Sequence, residues 1–143
     1  MRTLDVVPLY GAGPLQLGMS RTRSRLQLGV QHEELKKSVY SSKICDGYFK
    51  ATIHVHFDED DRVEFIELWR GGPFAANVGG IDVLGATALE VLASLRESGL
   101  VLDERERNTL FIGRTTELAL WRNDDTDPCF ESVSVAVAGY HAR

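Results

Sequence analysis

Apolar and polar residues alternate most clearly over residues 52–57. The two sets are Ile53, Val55 and Phe57 on one side, and Thr52, His54 and His56 on the other. This period of two predicts a β-strand with one buried face and one polar face. An acidic turn at 58–61 and a second apolar-rich run at 62–69 follow, so the segment predicts a β-hairpin.

A helical period is strongest between residues 87 and 98. Thr87 and Glu90 have the spacing of a capping box, in which the hydroxyl and the carboxylate each satisfy one free amide. The apolar residues would share one face, and Ser98-Gly99 would end the helix. These apolar residues are Ala88, Leu89, Val91, Leu92 and Leu95.

A shorter helix is predicted over 21–28. Ser20 is placed to cap its N-terminus, and Gly29 is placed to end it. A short strand over 14–17 precedes this helix, and a weaker helical or irregular region over 33–40 follows it.

Residues 71–80 contain four glycines and one proline, which predicts a linker. Beyond it the chain predicts four more strands and one charged segment. The strands cover 81–84, 110–112, 116–121 and the alternating Val133, Val135 and Val137, and the charged segment covers 103–108.

The two halves of the chain repeat one order of elements, with a period of about 67 residues. Each half has a short strand between glycines, a capped helix, and then two strands joined by an acidic turn. We therefore expect an α+β fold of two tandem repeats, each a short helix packed on one face of an antiparallel β-sheet. A single compact domain, 1–143, would contain a first repeat over about 1–70, the linker, and a second repeat over 81–143.

Charge is distributed unevenly along the chain, whose formal net charge is -5. Residues 1–50 carry eight basic and four acidic side chains, whereas residues 51–143 carry eight basic and seventeen acidic ones. The overall acidity argues against a nucleic-acid binder, and the asymmetry indicates an interaction surface.

The N-terminal residues do not resemble a signal peptide, because Asp5 and Pro8 interrupt the apolar run. The chain also has no apolar run near the roughly 20 residues that a bilayer requires. A cytoplasmic protein is expected, with no membrane partner and with Cys45 and Cys129 as reduced thiols.

The pattern G-x-L-x-L-G-M-S at 13–20, followed by a helix and a hairpin containing V-x-F-I-E-L at 63–68, resembles a known unit. It is the helix-on-sheet unit of the β-lactamase inhibitor protein and of the small outer-membrane assembly lipoproteins. The tandem arrangement in a short chain also resembles immunity proteins of bacterial polymorphic toxin systems. The resemblance implies a protein inhibitor. The β-lactamase target and the membrane role are not carried over, because this chain lacks the export signal of both groups.

Two histidines and a carboxylate, in the pattern His54-x-His56-x-Asp58, share one side of the predicted strand. They could bind a metal, but His32 and His141 are distant in sequence, and no nearby residue supplies a further His or Cys ligand. We therefore expect a polar strand face, with no metal and no cofactor. Nucleophile and dinucleotide motifs are incomplete in this chain, so no enzyme is expected.

Acidic turns at matching positions of the repeats are the strongest candidate for a binding surface. We expect both at one end of the sheet, where carboxylates would attract a basic partner. Trp69 and Trp121 stand at strand ends beside these turns, and they are either core or interface residues, since Ile66 and Leu68 occupy the face opposite Trp69. The candidate partner-binding residues are Asp58, Asp60, Asp61, Phe65, Trp69, Trp121, Asp124 and Asp125.

These observations predict a stoichiometric binding protein that is a monomer when free. The most specific hypothesis is an immunity protein that covers the active site of a basic cognate toxin, such as a nuclease. Two alternatives are a dimeric structural or assembly module, and a small-molecule- or metal-binding domain that uses the His54/His56 face.

Overall fold

The computed structural model describes residues 2–36, 43–106 and 108–142, and this part of the chain has an α+β fold. The first half contains β1 (Arg2–Val7), β2 (Gly11–Ala12), β3 (Leu15–Gln16), α1 (Arg21–Ser24), β4 (Glu33–Lys36), β5 (Ile44–Tyr48), β6 (Ile53–Phe57) and β7 (Val63–Trp69). The second half contains β8 (Phe74–Val78), β9 (Ile81–Asp82), α2 (Ala88–Glu97), β10 (Leu102–Glu106), β11 (Thr109–Ile112), β12 (Leu118–Trp121), β13 (Ser132–Ala136) and a 3₁₀ turn (Tyr140–Ala142).

The larger sheet has eight strands in the order β10-β11-β12-β13-β7-β6-β5-β4. Each half of the chain contributes four consecutive strands, and all neighbours are antiparallel. The two sets of four meet where β13 pairs with β7. The predicted hairpin at 52–69 is confirmed as β6 and β7, at the centre of this sheet.

The smaller sheet has five strands in the order β3-β2-β1-β8-β9, and its central pair, β1 and β8, is parallel. Strand β8 lies inside 71–80, which was expected to be a linker. Its alternation of buried and half-buried residues is that of a core strand. Gly79 and Gly80 both have positive φ, as the two-residue turn between β8 and β9 requires, so the glycines there form a tight hairpin.

Apolar side chains from both sheets and from α2 form one core. The inward residues of the four central strands of the large sheet belong to this core. They are Ile53, Val55, Phe57, Val63, Ile66, Leu68, Leu118, Leu120, Val133 and Val135. Because side chains alternate along a strand, the other face of these four strands points away from the core.

The two helices begin where the sequence predicts. Ser20 and Thr87 cap them with the same extended backbone (φ -68, ψ 154), and each hydroxyl accepts a hydrogen bond from an amide three residues on. In α2, Thr87 also donates to the Glu90 carboxylate (2.8 Å), so that carboxylate binds the hydroxyl instead of a free amide. Leu89 is 82% exposed and lies outside the buried helix face that was predicted to contain it.

Three further local predictions differ from the structure. Helix α1 ends at Ser24, four residues earlier than expected, although Gly29 does have positive φ. The region 33–40 was expected to be helical or irregular. It begins as strand β4, because it pairs with β5, and 37–40 lies outside the described residues. The charged segment 103–108 forms most of β10, because an edge strand tolerates charged side chains.

Candidate functional site

The candidate site is the face of the large sheet that points away from the core, which we call the outer face. Its larger polar and aromatic side chains are mostly half-buried, and its buried members are Phe111, Ala119, Ser132 and Ser134. The full set is His54, His56, Phe65, Glu67, Trp69, Thr109, Phe111, Ala119, Trp121, Ser132 and Ser134. Aromatic rings and histidines gathered on one outward face make it the candidate functional surface of the described chain.

A β-bulge determines which residues of β7 reach the outer face. The register between β6 and β7 shifts between His56 and Phe57, so Glu64 is an extra residue in β7. Ile66 and Leu68 therefore point into the core together with Val63, whereas Phe65 and Trp69 lie on the outer face. The sequence left open which of these two pairs of β7 residues is buried. In the structure, Ile66 and Leu68 are the buried pair.

Trp69 and Trp121 are in contact on this face. Their ring centroids are 5.6 Å apart with an interplanar angle of 68°, an edge-to-face arrangement. Ser132 lies between them in the sheet, paired with both, and its small side chain leaves room for the two rings to meet. Both rings are half-buried, so they are neither fully core nor fully exposed.

Glu67 holds the Trp69 side chain in place. The Trp69 indole Nε1 donates a hydrogen bond to Glu67 Oε1 (3.0 Å), and the Ser132 hydroxyl lies 3.4 Å from Oε2. The indole therefore has a fixed orientation in the free protein. A fixed aromatic ring loses little entropy when a partner covers it.

The 3₁₀ turn at the end of the described chain covers the other end of the outer face. Tyr140 stacks on Phe65 with a centroid separation of 5.0 Å and an interplanar angle of 21°. His141 contacts Phe111 edge-on, also at 5.0 Å. Phe65, which was predicted as a partner-binding residue, is therefore partly covered by the chain itself, whereas the tryptophan pair lies beyond this cover.

The two acidic turns lie at opposite ends of the central strands, so the expectation that they share one end is wrong. Strands β13 and β7 are antiparallel, with Ser132 opposite Trp69 and Ala136 opposite Phe65. The 58–61 turn precedes β7, and the 124–127 turn precedes β13, so antiparallel pairing separates them. Trp69 consequently lies beside the 124–127 turn and not beside the turn of its own hairpin.

The 58–61 turn is largely engaged within the molecule. The Asp58 carboxylate accepts hydrogen bonds from the amides of Asp60 (2.9 Å) and Arg62 (3.0 Å). Asp61 forms an ion pair with Arg21 (3.0 Å), whose guanidinium also lies 4.0 Å from the centroid of the Phe57 ring. Part of the negative charge of this turn is thus neutralised before any partner binds.

The 124–127 turn also has exposed carboxylates. Asp124 accepts hydrogen bonds from the amide and the hydroxyl of Thr126, which lower the pKa of its carboxyl group below the usual value. Asp125 is exposed beside it. The exposed carboxylates of this turn lie at the same end of the strands as the Trp69–Trp121 pair, and the positive charge of Arg122 also lowers the Asp124 pKa.

A groove of about 420 Å³ opens on the outer face next to the tryptophan pair. It is lined by Leu35, Lys36, Cys45, His54, His56, Phe65, Glu67, Tyr140 and His141. Leu35 reaches over Gly47, where a Cβ atom would lie 2.5 Å from Leu35 Cδ1. Glycine at position 47 therefore lets β4 close one side of the groove.

Cys45, His54 and His56 lie together in this groove, with one ligand atom from each within 4.8 Å of the other two. Sequence reasoning missed this cluster, because it looked for a further ligand near the histidines in sequence. Cys45 comes from β5, and the pairing of Asp46 with Val55 places it opposite His56. Asp58, which the sequence pattern offered as the third group, binds the amides of its own turn instead.

Comparison of the chain with family models, with curated proteins and with solved structures found no match. Among the described residues, every helix is too short or too polar to cross a membrane.

Proposed function

We propose that this chain is a stoichiometric binding protein whose partner docks on the outer face around Trp69 and Trp121. The observation that carries the proposal is the edge-to-face pair of half-buried indoles, oriented by Glu67. Tryptophan is among the residues that contribute most binding energy at protein interfaces, above all when it is held rigidly.

The charge around the face favours a basic partner. The exposed 124–127 turn lies beside the tryptophan pair, and the 58–61 turn lies at the other end of the same strands. Strand β7 has seven residues and spans about 23 Å. A standard interface of about 800 Å² per partner is roughly 28 Å across, so one partner can reach both turns.

We further propose that the partner is a cognate toxin and that the protein is its immunity protein, a non-enzymatic inhibitor acting in the cytoplasm. The two acidic turns, 58–61 and 124–127, favour a toxin with a basic cleft. A nuclease has such a cleft, because it must bind phosphates. An inhibitor that covers the cleft needs shape and charge complementarity but no catalytic group of its own.

The matching order of elements in the two halves supports the same proposal, since the resemblance to inhibitor proteins rests on tandem helix-on-sheet repeats. Ser20 and Thr87 begin their helices with identical backbone angles, each after a two-residue strand. Each helix is followed by four consecutive strands of the large sheet. We propose that the halves are copies of one unit, whose helix has shortened to four residues in the first copy.

Co-expression with the product of an adjacent reading frame tests the proposal, because immunity proteins are normally encoded beside their toxins. Size-exclusion chromatography with light scattering should give a monomer for the chain alone and a 1:1 complex with the toxin. Trp121→Ala should weaken the complex at least 30-fold, about 2 kcal/mol. Leu89→Ala, on the exposed side of α2, is the matched control and should leave affinity unchanged.

A stable homodimer of the chain alone, disrupted by Trp121→Ala, would instead favour the structural or assembly module. Equal affinities for the Trp121 and Leu89 variants would place the toxin-binding surface away from the outer face.

A further inference from the structure

We propose that Cys45, His54 and His56 form a binding site for one zinc ion, with a fourth coordination position open to the groove. The three ligand atoms already lie within 4.8 Å of one another. In a tetrahedral zinc site, bonds of 2.0–2.3 Å place ligand atoms about 3.6 Å apart. Binding therefore requires the ligand atoms to approach one another by about 1 Å, which is within the range of side-chain rotation.

The backbone that carries these ligands is a regular part of the large sheet. Cys45 lies opposite His56 across the β5–β6 pair, and His54 is two residues from His56 on the same face. A metal site on paired strands is held more precisely than one on a loop, so the free energy of ordering the ligands is already supplied by the fold.

The His54 ring has the hydrogen bond expected of a metal ligand. Its Nε2 lies 2.7 Å from the carbonyl oxygen of Ala51, which can only accept, so Nε2 carries the proton. Nδ1 is then the nitrogen whose lone pair binds a metal. Zinc-bound histidines usually donate their second ring nitrogen to a carbonyl or carboxylate in this way, which fixes the ring orientation.

The Ala51 carbonyl that contacts His54 belongs to a turn of unusual backbone conformation. Phe49, Lys50 and Ala51 all have positive φ (51°, 58° and 63°), a conformation that non-glycine residues rarely adopt. The β5–β6 turn keeps this shape while Phe49 packs near Phe74, at a centroid separation of 6.5 Å. This backbone conformation directs the Ala51 carbonyl towards the His54 ring.

The ligand set favours zinc over the hard cations calcium and magnesium. A thiolate with two imidazoles suits zinc, and it is unsuited to calcium or magnesium, which prefer oxygen ligands. Cys45 is 8% exposed and the histidines are half-buried, so the site is sheltered but reachable through the groove. Binding would release the thiol proton of Cys45 to solvent. Three protein ligands with an open position also allow a partner residue or a water to complete the site.

The site can bind zinc whether or not the outer face docks a toxin, and its test uses the isolated chain.

The experiment is a zinc titration of the full chain, purified without a polyhistidine tag and stripped with a chelator. Competition with a chromophoric indicator should show one zinc per chain. Cobalt substitution should add a thiolate-to-metal charge-transfer band. Cys45→Ser should abolish this band, and both Cys45→Ser and His56→Ala should weaken zinc binding about 100-fold or more. Cys129→Ser is the matched control, since it removes the other cysteine, and should bind zinc like the unaltered chain.

Circular dichroism of each metal-free variant checks that it folds, and the half-exposed His56→Ala carries the test if Cys45→Ser does not. Failure of the unaltered chain to bind zinc would overturn the proposal. So would equal zinc affinity in the His56 variant, or loss of the cobalt band in Cys129→Ser. Copper instead of zinc in the chain as purified, before any chelator is added, would overturn the assignment of the metal.

Discussion

Arg25 holds the buried carboxylate of Asp46 with two hydrogen bonds, from Nε to Oδ2 (2.8 Å) and from Nη2 to Oδ1 (3.0 Å). The Asp46 side chain is fully buried, and the hydrogen bond to it raises the pKa of the Arg25 guanidinium above its usual value. Arg21 lies 3.7 Å from the same carboxylate. Arg21 and Arg25 are therefore engaged within the fold, whereas Arg23 between them is exposed.

Removal of Arg25 should strongly destabilise the protein. Among the described residues, Arg25→Ala leaves the buried Asp46 carboxylate with the more distant Arg21 as its ion-pair partner, and we expect a loss of about 3 kcal/mol in the free energy of unfolding. Arg23→Ala, at an exposed position of α1, should change it by no more than about 0.5 kcal/mol. Urea denaturation of the two variants measures the difference, and equal losses would contradict the role given to the ion pair.

Stability should fall at alkaline pH because of Tyr48. Burial raises the pKa of its hydroxyl to about 12, and this hydroxyl has no hydrogen-bond partner among the described residues. The unfolded chain releases this proton near pH 10, so the stabilising contribution is complete below about pH 10 and is lost as pH rises towards 12. Between about pH 8 and about pH 11, Tyr48→Phe should reduce this alkaline loss by about 1.4 kcal/mol.

Chemical denaturation at about pH 8 and about pH 11 measures this effect. Tyr10→Phe is the control, because Tyr10 is 51% exposed and its substitution removes no buried hydroxyl. The same alkaline loss in the Tyr48 and unaltered proteins would assign it to other groups.

The Trp69–Trp121 contact should contribute measurably to the stability of the free protein. Edge-to-face aromatic pairs are worth about 1 kcal/mol beyond the area they bury. A double-mutant cycle of Trp69→Ala and Trp121→Ala should therefore give a coupling energy near 1 kcal/mol in urea denaturation. Additive losses would mean that the rings do not interact in solution.

The two acidic turns should differ in their effect on partner binding. Asp124→Asn with Asp125→Asn should slow association and reduce its salt dependence, because these carboxylates are exposed beside the tryptophan pair. Asp60→Asn with Asp61→Asn should have a smaller effect, since Arg21 already neutralises Asp61. Stopped-flow association rates at two salt concentrations distinguish the pairs, and the reverse order would move the docking site to the Phe65 end.

The cap of α2 provides a separate test of the fold. Thr87→Ala should cost about 1 kcal/mol, because the Glu90 amide loses its acceptor. Thr87→Ser keeps the hydroxyl and should recover most of that loss. A thermal melt of both variants is sufficient, and no difference between them would show that the cap contributes little.

Local patterns predicted local structure well. The alternation at 52–57 and the cap at Thr87 both depend on residues close in sequence, and both correspond to observed elements. The strand at Phe74–Val78 was missed because its glycine-rich flanks resemble a linker. Its strand character depends on parallel pairing with β1, about 70 residues away, which no local window contains.

The candidate site was only partly accessible from the sequence. Trp69 and Trp121 were identified individually, but their contact depends on Ser132 and on the β13–β7 register. The cluster of Cys45 with two histidines likewise depends on the β5–β6 register. The separation of the acidic turns follows from strand direction, which a repeated order of elements does not determine.

The outermost strands of the large sheet limit how the protein can associate. Strands β4 and β10 are its edges, with the sequences EELK and LDERE. An edge strand exposes unpaired backbone groups that can pair with a strand of another molecule. Charged side chains on the edge oppose this pairing, because a second strand would remove them from water. Extension of the sheet from copy to copy is therefore disfavoured at both edges. In a crowded cell, this arrangement leaves the broad face free for recognition while the margins resist aggregation.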